Sequence, residues 1–154
     1  MTKKEQIIQT AEDLFLHFGF KRLTISEICD KSGISRKTFY SYFGSKDDLV
    51  QQIVEAFMEN AFNLFENILN DNTLTFAEKL EKSILMKYDM GKKWSFAFFS
   101  DLLSDEKISV YYHSLTGRSA SMVRQMLESA QKNEEIDPDL NIDYIIWLLK
   151  KQSE

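Results

Sequence analysis

The chain has 154 residues, 44% of them hydrophobic and 13% aromatic, and its formal net charge is −5. This much apolar material excludes a globally disordered protein, and the single cysteine excludes an internal disulfide framework. No apolar run approaches the roughly 20 residues of a membrane-spanning helix, so the sequence predicts a soluble, cytoplasmic protein.

Helix breakers are scarce along the chain, which has one proline and five glycines. This scarcity favours long helices with short connections, and no stretch alternates between apolar and polar residues as a strand would. The sequence therefore predicts an all-α fold.

The first fifty residues carry the pattern of three short helices. An apolar stripe at helical spacing predicts the first helix, and Gly19 follows it as a stop (Ile7, Ala11, Leu14, Phe15 and Phe18). Thr24 and Glu27 form a capping box that opens a second helix, which Gly33 ends. Ser35 can cap a third. Two short helices joined by a turn containing glycine are a helix-turn-helix.

A basic segment coincides with this third helix. Residues 31–46 include four basic side chains and no acidic one (Lys31, Arg36, Lys37 and Lys46). Phe39 and Phe43 are expected to point inward, which leaves the basic and tyrosine side chains for solvent or a partner. A solvated helix face is the alternative, but such faces normally mix both signs of charge. The mixture of these cations with hydroxyl side chains favours binding to a phosphate backbone (Ser35, Thr38, Ser41 and Ser45).

The remaining hundred residues predict five further helices. The fourth runs from Lys46 to Asn70 with an apolar stripe (Leu49, Ile53, Phe57, Ala61, Leu64 and Ile68), and the fifth, capped by Thr75, carries another (Leu80, Ile84 and Tyr88). A last helix is expected from Ile142 to Lys150. Residues 1–50 have eight basic and seven acidic side chains, whereas the rest has eleven and seventeen, which favours a body that does not touch DNA.

Aromatic and methionine side chains of this second region are candidates for a pocket that takes an apolar or flat molecule. They are Phe57, Phe62, Phe65, Met86, Met90, Trp94, Phe98, Phe99, Tyr112, Met122 and Met126. For each of them an ordinary core position is the alternative. Glu55, Asp89 and Asp101 are the carboxylates that could select a cation, with surface exposure as their alternative.

The sequence gives little support for catalysis, a metal or a cofactor. His17 and His113 are isolated, and two histidines with one cysteine show no metal-ligand spacing. No phosphate-binding loop, dinucleotide glycine pattern or nucleophile elbow occurs. Cys29 is expected on the inner face of the second helix as a small buried residue.

The first fifty residues resemble the DNA-binding domain of the tetracycline-repressor (TetR) family. The resemblance rests on many fixed spacings, at Ala11, Leu14, Phe15, Gly19, Thr24, Ile28, Gly33–Ser35, Phe39–Lys46 and Leu49. It implies a three-helix helix-turn-helix DNA-binding domain over residues 1–46. It also implies a helical ligand-binding and dimerisation domain over residues 47–154.

The resemblance implies a role for eight side chains. Thr24 and Lys46 match phosphate contacts. Ser35, Arg36, Lys37 and Thr38 match the end of the recognition helix that meets base edges, and Tyr40 and Tyr42 match aromatic contacts to the DNA backbone. The family often has glycine in place of Lys37 and histidine in place of Tyr42, so the base preference stays open.

The implied function is a repressor that releases a palindromic operator when a small, largely apolar molecule binds. Family members act as homodimers through their last two helices. This sequence stops at Glu154, inside or just after the first of these, which predicts a truncated product without the final helix. Residues 145–149 are too apolar to end a protein exposed, so the resemblance leaves open whether this chain dimerises.

Two other classes of function remain open from the sequence. One is a DNA-binding module that responds to a protein partner through its apolar end, without a small ligand. The other is an enzyme or small-molecule carrier that retains only the fold.

Overall fold

A computed structural model describes residues 1–151, apart from the side chains of residues 115 and 116. This part of the chain contains eight α-helices and no strand. They are α1 (Lys3–Phe18), α2 (Ile25–Ser32), α3 (Arg36–Tyr42), α4 (Lys46–Asn70), α5 (Phe76–Lys93), α6 (Phe96–Ser104), α7 (Glu106–Lys132) and α8 (Ile142–Lys151). The predicted all-α fold is confirmed. The predicted truncation point lies outside the described residues.

Local capping sets the ends of the first helices. Thr24 and Glu27 form the predicted capping box at the start of α2, in which each side chain bonds the other residue's backbone N–H. Gly33 follows α2 in the left-handed conformation, with φ 64° and ψ 26°. The Ile34 N–H donates to the Cys29 carbonyl at 3.0 Å, which closes the Schellman stop. These short-range signals place the helix-turn-helix where the sequence predicts it.

The described helices divide into two compact units. The first comprises residues 1–59 and 88–112, and the second residues 60–87 and 113–154. The core of the first unit joins buried residues of α1 to α4 with Trp94, Phe98, Leu102 and Ile108. The predicted functional boundary at residue 46 stays a prediction, since α4 is a single helix that begins there and enters both units.

The second unit has a smaller core in which α8 packs on α7. Leu127 of α7 contacts Ile142 and Ile146 of α8 in this core. An ion pair between Arg124 and Asp143 also joins these helices, with 2.5 Å between the guanidinium and carboxylate atoms. The inner face of α8 is therefore held by contacts within the chain.

Three predicted apolar stripes are wrong in part: Phe18, the last residue of the α1 stripe, is exposed, and the stripes of α4 and α5 also depart from the prediction. Leu64 of α4 is exposed, while Phe62 and Phe65 beside it are buried. On α5 the predicted stripe is exposed, to 59% at Ile84 and 61% at Tyr88. Both helices carry apolar side chains on more than one side, and a spacing of four residues alone does not decide which side packs.

Candidate nucleic-acid interface

The third helix has one buried and one exposed side. Phe39 and Phe43 are fully buried, and their ring centroids lie 5.4 Å apart. The exposed side chains are those of Arg36, Lys37, Tyr40 and Tyr42. The predicted division into inward phenylalanines and outward basic and phenolic side chains is confirmed. An exposed basic face backed by rigid aromatic packing is suited to contact with a polyanion.

The guanidinium of Arg36 already has a partner on the preceding helix. Its Nη2 donates a hydrogen bond to the Ser26 hydroxyl of α2. This contact holds the Arg36 side chain across the helix-turn-helix, although it leaves the residue exposed. The sequence does not single out Ser26, because its pairing with Arg36 depends on how α2 and α3 pack.

The hydroxyl groups at the two helix starts are engaged in capping. The Ser35 hydroxyl accepts the Thr38 N–H at 3.1 Å, and the two hydroxyls lie 2.9 Å apart. At α2 the Thr24 hydroxyl accepts the Glu27 N–H at 3.2 Å and donates to the Glu27 carboxylate at 2.8 Å. Their primary role in the free protein is therefore to start α2 and α3, and the predicted DNA contacts stay a prediction.

Glu27 gives the second helix a dependence on pH. The Thr24 N–H and hydroxyl donate to its carboxylate and hold the pKa of Glu27 below the ordinary 4.5. Because folding lowers this pKa, the stabilisation is present above pH 4.5 and is lost as the pH falls through the lower value of the folded state. We expect wild type to exceed Glu27→Gln in melting temperature above that pH, by a margin that shrinks on acidification. Glutamine keeps the capping geometry without the charge, so a margin constant across an acid titration would contradict this.

Lys46 makes a different set of contacts from those predicted. Its ammonium donates to the carbonyl oxygens of Phe20, Lys21 and Leu23, at 2.9, 3.1 and 2.9 Å. All three oxygens belong to the turn between α1 and α2. The predicted contact between Lys46 and DNA phosphate stays a prediction that these hydrogen bonds do not favour.

The same turn is also held by α6. The Lys21 N–H donates to the Asp101 carboxylate at 2.8 Å, and the Lys21 ammonium donates to the Ser104 hydroxyl at 2.9 Å. The N-cap of α6 also joins α1, because the Ser95 N–H donates to the Leu16 carbonyl at 3.1 Å. Asp101, a predicted candidate for selecting a cation, is therefore committed to the backbone of this turn.

The predicted pocket residues are buried or half-buried, and they divide between the two units. Phe57, Met90, Trp94, Phe98, Phe99 and Tyr112 belong to the first unit, and Phe62, Phe65, Met86, Met122 and Met126 to the second. In the first unit the rings pack on one another, with centroids 4.7 Å apart for Phe57–Trp94 and 4.0 Å for Trp94–Phe98. The ring of Phe98 also packs against Phe20, with 5.9 Å between the centroids. Through Phe20 this aromatic cluster reaches the turn between α1 and α2.

A cleft of about 580 Å³ lies in the second unit, and its lining is mainly polar. The residues that line it are Leu69, Asn70, Asn72, Phe76, Lys79, Gln125, Met126, Glu128, Ser129, Ala130, Lys132 and Glu135. Met126 is the one predicted pocket residue among them. This cleft therefore does not match the predicted apolar pocket.

Three further features of the described residues concern other kinds of site. Among them no group of three His, Cys, Asp or Glu side chains could hold a metal ion. Burial raises the pKa of the Cys29 thiol, which makes a reactive thiolate unfavourable. None of the helices in this part of the chain is long and apolar enough to cross a membrane.

Comparison with known proteins adds a family context to this geometry. A family model for bacterial regulatory proteins of the tetR family matches residues 7–53. YerO of Bacillus subtilis, an uncharacterized HTH-type transcriptional regulator, is 30% identical over 135 residues, which cover 81% of this chain and 45% of that protein. The HTH-type transcriptional repressor KstR2 of Mycolicibacterium smegmatis is 22% identical over 154 residues, which cover 97% of this chain and 75% of KstR2.

A solved structure extends the likeness beyond the first fifty residues. The fatty acid degradation regulator FadR from Bacillus halodurans matches with a TM-score of 0.74 at 15% identity, over 97% of this chain and 82% of that one. At this identity the match concerns the fold. The chain spans less than half the length of YerO and about three quarters of KstR2.

Proposed function

Because the chain belongs to the tetR family of bacterial regulatory proteins, we propose that it is a repressor that releases its operator when a small, largely apolar molecule binds. The observation that carries the DNA-binding part is the face of α3, where exposed Arg36 and Lys37 are backed by buried Phe39 and Phe43. In such an arrangement the helix enters the major groove and arginine or lysine donates to guanine.

The proposed DNA contacts are those that the resemblance implies for side chains of the helix-turn-helix. Arg36 and Lys37 read base edges at the start of α3, together with Ser35 and Thr38. Tyr40 and Tyr42 contact the sugar-phosphate backbone, as does Thr24 at the start of α2. Backbone contacts fix the register and base contacts supply the specificity. Residues 1–46 then act as the DNA-binding domain and residues 47–154 as the regulatory domain.

A second copy of the chain is the proposed partner for α8. The rings of Tyr144 and Trp147 stack with centroids 5.8 Å apart and are both more than half exposed. Aromatic side chains at a subunit interface bury large areas at low entropic cost. A two-fold dimer would place two copies of α3 about 34–36 Å apart, in successive major grooves of a palindromic operator.

The proposed effector is apolar because of the side chains that would surround it. The cluster of Phe57, Trp94 and Phe98 offers ring faces, and half-buried Met90 adds an adaptable apolar side chain. An effector that separated these rings would change the packing of Phe98 against Phe20, which lies in the turn between α1 and α2. The effector can shift DNA affinity only if it binds the DNA-binding conformation and the released conformation with different affinities.

The DNA-binding proposal is tested by selecting duplexes from a random-sequence pool with the wild-type protein. Arg36→Ala and Lys37→Ala should each reduce discrimination between the selected duplex and a scrambled duplex by about 1–3 kcal/mol. Lys87→Ala is the matched control, an exposed lysine of α5 outside the interface. Failure of the wild type to enrich any duplex would reject the proposed function, and equal losses on both duplexes would reject the base-reading roles.

A further inference from the structure

Lys46 lies where α4 begins, and its ammonium is surrounded by main-chain oxygens. The side chain is half-buried, and its three hydrogen bonds to Phe20, Lys21 and Leu23 are each between 2.9 and 3.1 Å. A lysine ammonium has three N–H donors and no acceptor. These bonds therefore use its whole donor capacity within the protein.

The turn that Lys46 holds leads directly into the DNA-binding helices. Leu23 immediately precedes Thr24, the N-cap of α2. Within the turn the Leu23 N–H donates to the Phe20 carbonyl at 3.3 Å, and from outside Asp101 accepts the Lys21 N–H. Bonded by both Lys46 and Asp101, this turn links the first residue of α4 to the first turn of α2.

We propose that Lys46 is a positioning residue for DNA binding and does not contact DNA phosphate. Its ammonium fixes the Phe20–Leu23 turn on the start of α4, and through that turn it fixes the N-terminal backbone N–H groups of α2. A displacement of the start of α4 is transmitted to α2 by these hydrogen bonds. The inference rests on the proposed DNA-binding function, and it concerns the role of one side chain in it.

Salt dependence separates a positioning residue from a phosphate contact. Each phosphate neutralised by a protein cation contributes about −0.9 to the slope of log affinity against log salt concentration. Lys46→Met removes the three donors and keeps an unbranched side chain. Measured on the folded protein with the duplex selected by wild type, it should weaken binding by about tenfold at an unchanged slope. A slope smaller in magnitude by about one, or wild-type affinity, would overturn the proposal.

Lys46→Arg adds a test in which the charge is kept. A guanidinium presents its N–H donors in one plane and at a greater distance from the backbone, so it does not reproduce the arrangement in which one ammonium nitrogen meets three carbonyl oxygens, although it binds phosphate well. The positioning role therefore predicts that arginine fails to restore affinity, and restoration would overturn the proposal. Lys37→Met, at an exposed lysine of α3 that we assign to base edges, serves as the matched variant, for which we expect a loss of discrimination between the selected and a scrambled duplex that Lys46→Met does not show.

The wild-type protein gives a test that does not depend on any variant folding. Brief acetylation with acetic anhydride, read by mass spectrometry, reports which lysine amines are accessible. We expect Lys46 to be protected both in free protein and in the DNA complex, and Lys37 only in the complex. Reactive Lys46 in the free protein would overturn the proposal. If the wild type selects no duplex, the proposed function fails, while the free-protein result still reports on the Lys46 contacts.

Discussion

Replacing Gly19 by alanine is expected to lower the free energy of unfolding by about 2–5 kcal/mol. Gly19 has φ 73° and ψ 170°, a backbone conformation that is strained for any residue with a Cβ. An added Cβ would lie 2.4 Å from the Asp101 carboxylate and 3.1 Å from the Ala97 carbonyl of α6. The carboxylate cannot simply move away, because it accepts the Lys21 N–H. Urea unfolding followed by circular dichroism measures the loss.

Gly33→Ala is the matched control for this prediction. Gly33 also has a positive φ, of 64°, but an added Cβ would meet no atom within 4 Å. Its cost should be limited to the left-handed conformation, about 1–2 kcal/mol. In an Asp101→Ala background the cost of Gly19→Ala should fall but remain above that of Gly33→Ala, since the Ala97 carbonyl stays in place. Equal costs at the two glycines would contradict a tight approach of α6 to this turn.

Short-range signals account for most of what the sequence predicts correctly. The capping box of Thr24 and Glu27 links residues three apart, and the stop at Gly33 depends on that glycine and on Ile34. Phe39 and Phe43 are one helical turn apart and point inward together. Such features depend on local conformation, so they can be read from spacing and residue type.

The contacts that organise the candidate site are long-range. Asp101 accepts an N–H from a residue 80 positions earlier, and Lys46 reaches carbonyls 23 to 26 positions away. No spacing rule gives such pairs, because they arise from how α4 and α6 pack against the α1–α2 turn. For the same reason the sequence does not distinguish two roles for Lys46. One is an exposed contact to DNA phosphate, and the other is a half-buried hydrogen-bonding position against main-chain oxygens.

Aromatic residues pose a similar problem for the predicted ligand pocket. Trp94 and Phe98 are buried in a packed cluster of rings. The same two side chains would also be buried if they formed the walls of a ligand cavity. Hydrophobic spacing reports burial alone and does not report whether space remains between the side chains. The pocket assignment therefore stays a proposal, for which a bound effector is the decisive observation.

Phe98→Ala is expected to destabilise the protein by about 3–5 kcal/mol, since it removes a large ring from a packed core. Phe98 is 1% exposed, and its ring centroid lies 4.0 Å from that of Trp94 and 5.9 Å from that of Phe20. Phe96 on the same helix is 87% exposed, so Phe96→Ala should change stability by no more than about 0.5 kcal/mol. Denaturant unfolding of both variants measures the contrast.

The cavity left by Phe98→Ala bears on function as well as on stability. The substitution would remove the ring that contacts both Trp94 and Phe20, and Phe20 supplies one of the carbonyls that Lys46 binds. Under conditions where the variant is still folded, we therefore expect weaker binding to the selected duplex at an unchanged salt slope, as for a residue that acts through the α1–α2 turn. Wild-type affinity in a folded Phe98→Ala protein would mean that the aromatic cluster stabilises the first unit without influencing the DNA-binding helices.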